Sequence, residues 1–496
     1  MSKPRTYGGW RPRKGFGVGF LTELQTAVLA GCIGMPLALW IATTSFGLPM
    51  VIMPIAVGVA ALTAALTLIP NRTHGTSLAG ALALFLRTAT ARRHRWMDWE
   101  REVFTRHPRG RELPGVLAPL MPLSTQDGLG QPYGLLWCRR TGRMTAAIEL
   151  APVGLALADQ DRADAWIGNW AAWKAALGYE PMVEWISVVV ESAPSAATTI
   201  SDYLTTNLAP DAPTIARETL LEVADAHRGT TAEISVRLNL HLQPNRARPQ
   251  PRTDADRVAE VSRVCGALEA DLPLCGVASL GRASAAHFAL WLRGAYDPAS
   301  RSELPRLREE EHLLAWREAG PVTARTHYDH YWHDSGWSVS WALEALPNQL
   351  VTSTILAPLT APGRYHRRVS VNYQAFPADA AADAVGREAA GTTFRRRLRR
   401  RRGLDDTARH RLDEARANQA ADEEAHGAGV GLWTLYVTTT VTDPDHLPDA
   451  VADVESRARA AKLQLRRCWG WQHVGFAASL GLIYPSELRR RDRRAR

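Results

Sequence analysis

The first sustained pattern along the chain is apolar and free of charge: residues 24–71 contain no Asp, Glu, Lys or Arg. The run divides near its middle at Thr43-Thr44-Ser45-Phe46-Gly47-Leu48-Pro49. A membrane-crossing helix needs roughly 20 apolar residues to match a hydrocarbon core of about 30 Å. The run is therefore expected to supply two transmembrane helices, 24–44 and 49–69. Pro36 and Pro54 fall inside them, where a membrane helix tolerates proline better than one in water. Arg5, Arg11, Arg13 and Lys14 precede the run, Arg72, Arg87, Arg92, Arg93 and Arg95 follow it, and the connection between the spans carries no cation. Positive residues mark the cytoplasmic side, so the expectation is a multi-pass protein of the cell membrane with both termini cytoplasmic.

Beyond this run the periods change. Residues 78–104 read as a helix that turns cationic and aromatic, suited to lie near anionic headgroups, and the Pro- and Gly-rich stretch 108–130 reads as a linker. Strands are expected at 133–138 and 144–150, joined across Arg139-Arg140-Thr141-Gly142 as a hairpin. Residues 159–177 have helical spacing that puts Trp166, Trp170 and Trp173 on one face, a core stripe. A buried strand follows at 182–190. Ile234, Val236, Leu238 and Leu240 then alternate through 232–242, the period of a half-buried strand. A helix at 254–269, a short strand at 272–277 and a helix at 284–294 complete the first half. The second half repeats the order, with strands at 338–346 and 368–376 and a long charged helical stretch at 379–426. A strand at 432–441, a helix at 445–462, a strand at 463–469 and a helix at 474–482 close it.

The fold class expected is α/β (α+β), an N-terminal two-helix transmembrane hairpin followed by a cytoplasmic mixed α/β region with two similar halves. The halves span 131–300 and 335–484, each packing helices on a mixed sheet. Around them lie a basic N-terminus (1–23), the hairpin (24–71), a juxtamembrane helix and linker (72–130) and a basic tail (485–496).

Composition narrows the chemistry. The 496 residues carry a formal charge of +9, almost all from arginine, because lysine occurs only at positions 3, 14, 174 and 462. A net positive cytoplasmic region suits anionic lipid. Cys32, Cys138, Cys265, Cys275 and Cys468 are scattered without CxxC spacing, which indicates neither a disulfide framework nor a zinc ribbon. A phosphate-cradling GxxxxGK[ST] loop needs a lysine between Gly and Ser or Thr, and no lysine here is so placed. HExxH, GxSxG and a GxGxxG after a strand are also missing. The chain reads as a non-enzyme with no cofactor. His327, His330 and His333 recur every third residue, yet a metal needs three or four converging ligands and this spacing spreads them round a helix; they are weak metal candidates. Arg395, Arg396, Arg397, Arg399, Arg400, Arg401 and Arg402 form a dense basic contact patch for lipid, protein or DNA. Asp405, Asp406, Asp413 and Glu414 follow it, so a solvated, internally paired helix accounts for it as well.

The order of parts resembles known machinery. The two-span hairpin behind an Arg-rich start resembles the small inner-membrane subunit of type IV secretion systems, the PrgI group. The remainder is similar to the N-terminal, non-ATPase domain of the VirB/TrbE/CagE conjugation ATPases. The carrying segments are 134–150 with the helix 159–177, and 337–362, which reads as strand, Pro347, then helix. Leu412-Asp413-Glu414-Ala415 with Gln419, ahead of 431–441 and 476–482, carries it further. The opening Arg5-Thr6-Tyr7-Gly8-Gly9-Trp10-Arg11 is similar to fused membrane proteins of actinobacterial conjugative elements. Those ATPases continue into a P-loop motor and this sequence does not. The resemblance therefore implies a conjugation component that docks a separately encoded ATPase and other secretion-channel subunits. Membrane lipid, DNA and further copies of the chain complete the partners it implies. Two alternatives stand beside it: an EccE-like membrane component of type VII secretion, and a membrane-bound enzyme of unrecognised type.

Overall fold

A computed structural model of the chain describes residues 23–46, 52–71, 76–101, 113–154, 158–194, 204, 207–209, 211–226, 232–304, 314–347, 351–377 and 431–483. The basic start of the chain, the long helical stretch expected at 379–426 and the tail at 485–496 lie outside the described residues.

The chain divides into two units, the smaller one formed by residues 10–97 with 344–346. It holds helices α1 (Glu23–Phe46) and α2 (Ile52–Leu68), a two-strand ribbon of β1 (Pro70–Asn71) and β2 (Thr76–Ser77), and helix α3 (Leu78–Arg93). Gln25 Nε2 donates to Thr67 O at 2.9 Å, tying α1 to α2, and Ala56 and Ala60 are buried on α2. Ser77 caps α3, its Oγ accepting from Gly80 N at 3.3 Å.

The expectation of two transmembrane helices is corrected here. Among the described residues no helix is long and apolar enough to cross a membrane. The 17 residues of α2 rise about 26 Å at 1.5 Å each, short of a core of about 30 Å. The longer α1 carries Gly31, Gly34 and Pro36 within it and ends at Phe46. The multi-pass membrane placement rested on those spans and is corrected with them. Ile33, Trp40 and Ile41 on α1 and Ile55, Val57, Val59 and Leu62 on α2 stand exposed.

The larger unit is one 13-stranded sheet with helices on it. In chain order it contains β3 (Asp98–Glu100), β4 (Leu120–Gln126), β5 (Pro132–Cys138), β6 (Arg143–Pro152), α4 (Gln160–Ala176), β7 (Val183–Pro194), α5 (Thr214–Ala226) and β8 (Ala232–Leu242). Next come α6 (Asp254–Ala270), β9 (Val277–Arg282), α7 (Ala285–Tyr296), β10 (Thr323–Thr326), β11 (Tyr331–His333) and β12 (Gly336–Ala345). Last are α8 (Ala357–Thr360), β13 (His366–Ala375), β14 (Gly431–Val441), α9 (Leu447–Ala460), β15 (Gln464–Arg467) and α10 (Gln472–Ser479). The strand order is β3-β10-β11-β12-β14-β13-β7-β8-β6-β5-β4, with β9 also on β6 and β15 also on β12.

This order resolves into one motif used twice. The segment β6-α4-β7-β8-α6-β9 makes sheet order β9-β6-β8-β7, all antiparallel, the ferredoxin-like split βαβ arrangement. The segment β12-α8-β13-β14-α9-β15 makes the same order, β15-β12-β14-β13. The outer strands β7 and β13 then pair antiparallel over seven positions, from Arg367↔Ser192 to Tyr373↔Ile186. The two halves therefore share one continuous sheet. Separate mixed sheets, one per half, are not what forms: every register resolved in it is antiparallel.

Alternation places the apolar residues. Leu135, Ile148, Ile186, Leu238 and Leu240 face α4 and α6, meeting Trp173, Val261 and Val264. Trp173 is buried, with Nε1 donating to Leu268 O at 3.0 Å, and Trp170 stacks on it at 4.9 Å. Of the stripe, Trp173 is core, Trp170 packs against it half-buried, and Trp166 is half-buried outside that cluster. Three segments depart from the sequence expectation. The linker at 108–130 contains β4, which pairs along its whole length with β5 despite Pro122. The helix at 78–104 stops at Arg93, and Asp98–Glu100 forms an edge strand on β10. Residues Leu272–Cys275 make a 3-10 turn, since Pro273 has no N–H to donate, and Gly276 at φ +72° turns the chain into β9.

Gly134 on β5 is required by the neighbouring helix. A Cβ there would sit 2.3 Å from Ala285 N and 2.5 Å from Ser284 C, the backbone that begins α7. Gly134→Ala is predicted to destabilise the chain by about 2–3 kcal/mol, the usual cost of overpacking a rigid contact. Urea unfolding with an unchanged m-value checks it; an unchanged midpoint would show that α7 can shift.

Candidate functional site

The opposite face of the same sheet carries a buried polar layer on its central strands beside an apolar cluster that includes Leu136, Ala147, Phe288 and Phe476. Ser187 and Glu191 on β7, Arg237, Asn239 and His241 on β8, and Arg368, Ser370 and Asn372 on β13 alternate with the apolar set and are all under one-tenth exposed. Ser338 and Ser340 on β12 and Thr438 and Thr440 on β14 extend this layer. It lies beneath α7, α10 and the turn after α10. Asn239 Nδ2 donates to Gly481 O at 2.9 Å, Ser340 N to Gln472 Oε1 at 2.7 Å, and the Arg237 guanidinium stacks 4.7 Å from the Trp291 ring.

A hydrogen-bonded chain crosses four strands within this layer. Ser187 Oγ donates to Asn372 Oδ1 at 2.6 Å and lies 2.8 Å from His241 Nε2, while Thr145 Oγ1 lies 2.9 Å from His241 Nδ1. The Ser187 proton is committed to Asn372, so Nε2–H of His241 donates to Ser187 and Nδ1 accepts from Thr145. Burial pushes the His241 imidazole down to about 3, with Arg143 adding to the shift. A serine beside a histidine is the arrangement of an activated nucleophile. Here Ser187 and His241 have no exposed surface, and an imidazole of that value is a weak base near neutral pH. The pair holds strands together.

A charged cluster lies at the end of the layer, where β7 meets β13. Glu191 Oε1 accepts from Arg301 Nη1 at 2.8 Å and from His366 Nε2 at 2.7 Å, and Oε2 lies 3.4 Å from Arg237 Nη1. Burial opposes ionisation of Glu191, but Arg301, Arg368 and His366 outweigh it and hold the carboxylate well below its ordinary value. Burial, then Arg301, pushes His366 down to about 4. On the apolar face, Lys174 projects between rings, with Nζ 4.6 Å from Trp433, 5.6 Å from Tyr373 and 6.0 Å from Trp170. Burial pushes this ammonium down to about 8.

The three histidines singled out by spacing do not converge. His327 and His330 stack at 4.2 Å in the turn between β10 and β11, where His327 N donates to His330 O at 2.9 Å. Asp329 accepts from the His330 ring at 2.9 Å, and that bond holds its carboxyl at about 2. His333 points instead into the core, its Nδ1 2.6 Å from Tyr296 O and Nε2 2.7 Å from Ser338 Oγ. Among the described residues no group of three or more His, Cys, Asp or Glu is placed to hold a metal. The basic patch of Arg395, Arg396, Arg397, Arg399, Arg400, Arg401 and Arg402 lies outside the described residues. Glu191, Arg237, Arg301, His366 and Arg368 went unnoticed in the sequence. All but Arg301, which sits in the 3-10 turn Pro298–Ser302, carry the signal of polar residues at alternate strand positions, which reads as a solvated face until the sheet is known to be covered on both sides.

The sequence matches no known protein-family description, and no curated protein matches it.

Two predictions concern pH. Buried His241, His333 and His366 are neutral in the fold, with values of about 3 to 4 against an ordinary 6.5. The unfolded chain binds more protons there, so their contribution is present above pH 6.5 and is lost as pH falls toward 4. Thermal melts from pH 7 to 4.5 should show a steep fall in Tm; a flat profile would mean these imidazoles are solvated. Lys174 acts with the same sign at alkaline pH, since a folded value near 8 against 10.5 means stability rises between those limits. Lys174→Met is expected to raise Tm at pH 7 by about 2–4 °C, a gain that shrinks toward pH 10. A lower Tm at pH 7 would show that the three rings more than offset the burial of the charge.

Proposed function

We propose that the chain is a non-enzymatic structural component of a type IV secretion-like conjugation apparatus, whose two-half sheet serves as a platform for a separately encoded ATPase. The observation that carries the non-enzymatic part is the closure of the polar layer. Four strongly perturbed groups carried by the strands, Glu191, His241, His333 and His366, are all buried and hydrogen-bonded to neighbouring strands or helices. Catalytic groups with shifted values work in clefts that admit substrate. These are instead spent on joining strands. The absence of any GxxxxGK[ST] lysine in the sequence supports an ATPase supplied by a partner. The repeated strand–helix order through 134–150, 159–177 and 337–362, the segments that resemble the non-ATPase domain of conjugation motors, supports the choice of machine.

Affinity purification of the full-length chain from native cells, with mass spectrometry of what accompanies it, tests this reading. Enrichment of a conjugation-type ATPase, reproduced by direct binding of the two purified proteins, is the expected result. Enrichment of type VII core components, or of no secretion protein, would overturn it.

A further inference from the structure

The hydrogen bonds around Glu191 leave one buried cation unanswered. Both oxygens of this carboxylate are occupied, Oε1 by Arg301 and His366 and Oε2 by Arg237. Arg368 stands directly across the β7–β13 ladder from Glu191 and has no exposed surface. Its Nε reaches Ser479 Oγ at 3.3 Å, and its guanidinium carbon lies 5.1 Å from the centre of the Phe476 ring. Its Nη1 and Nη2 have no hydrogen-bond partner, and neither has Arg237 Nε. A ring face attracts the charge but does not accept the in-plane N–H groups.

The imbalance is one of charge as well as of hydrogen bonds. Three guanidinium groups, Arg237, Arg301 and Arg368, act on one another around the Glu191 carboxylate, and Glu149, which also acts on Arg237, brings the carboxylates to two against three cations. Asp297 and Asp334 are taken up separately by Arg293. Buried charges persist only when paired and hydrogen-bonded, and an unpaired one costs several kcal/mol on the order of a lost ion pair. A water molecule would accept from Arg368 but would leave the excess positive charge in place.

We propose that the Nη1 and Nη2 groups of Arg368, with Arg237 beside them, hold a small monovalent anion of chloride size inside the polar layer at the β7–β13 seam. The anion accepts the guanidinium N–H groups that Glu191 cannot reach and neutralises the second buried arginine. Ordinary intracellular halide, or a carboxylate as small as formate, has this chemistry. The anion is a structural ligand, stabilising the junction of the two halves.

The test is thermal unfolding of the full chain at constant ionic strength, with sodium gluconate replaced stepwise by sodium chloride or sodium bromide. A saturable rise in Tm with either halide is expected, because a ligand that binds only the folded state stabilises it by mass action. Arg368→Met keeps the length and apolar body of the side chain, and should lose that response while retaining a cooperative melt. Should that variant fail to fold, crystals of the unaltered protein grown in bromide serve instead, with an anomalous peak expected within hydrogen-bond distance of Arg368. An identical response to gluconate and halide, a halide response that survives in Arg368→Met, or crystals without a bromide peak beside Arg368 would each overturn the proposal.

Discussion

The antiparallel pairing of β7 with β13 is the constraint on which the larger unit rests. Each half alone, a four-strand motif with further strands added beside its first strand, would leave an open edge at its second strand, and an open edge is an invitation to mispairing. Joining the two edges over seven register positions removes both at once and makes a single sheet. The same pairing brings Glu191 opposite Arg368 and Ser187 opposite Asn372, so the polar chemistry of one half is completed by the other. Neither half can satisfy its own buried face.

The two faces of that sheet do different work. The face under α4 and α6 is apolar and packs as ordinary core. The face under α7 and α10 combines an apolar cluster, in which Leu136, Ala147 and Tyr331 join Phe288 and Phe476, with a layer of serine, threonine, asparagine, histidine and arginine whose hydrogen bonds run between adjacent strands. Hydrogen-bonded layers contribute modestly in net free energy but penalise any register other than the one that satisfies them. A slip of one residue along β7 would turn Glu191 and Ser187 to the apolar side. The polar layer thereby fixes which positions of the two halves meet.

Much of this fold was legible in the sequence, and its limits have physical causes. The alternation of Ile234, Val236, Leu238 and Leu240 located β8 at its observed ends, and the Trp166, Trp170 and Trp173 spacing located α4 and its buried side. The order of elements in the sequence suggests two halves, each on a mixed sheet of its own, whereas two βαββαβ motifs share one antiparallel sheet. Periodicity reports one face at a time, however, and Arg237, Asn239 and His241 looked solvated because nothing local says that α10 will cover them. Strand β4 was hidden by Pro122 and by the glycines around it, which mark loops unless a partner strand supplies the ladder. The uncharged run of residues 24–71 reads by its hydropathy as two spans, whereas among the described residues no helix is long and apolar enough to cross a membrane.

Amide hydrogen exchange of the full chain tests the central claim most directly, because it reads the seam between the halves residue by residue. If β7 and β13 join the halves into one cooperative body, the amides of Val188, Val190, Val369 and Val371 exchange among the slowest in the chain and share one opening free energy with β8 and β14. Fast exchange along β7 and β13, with slower exchange confined to each half, would contradict the account.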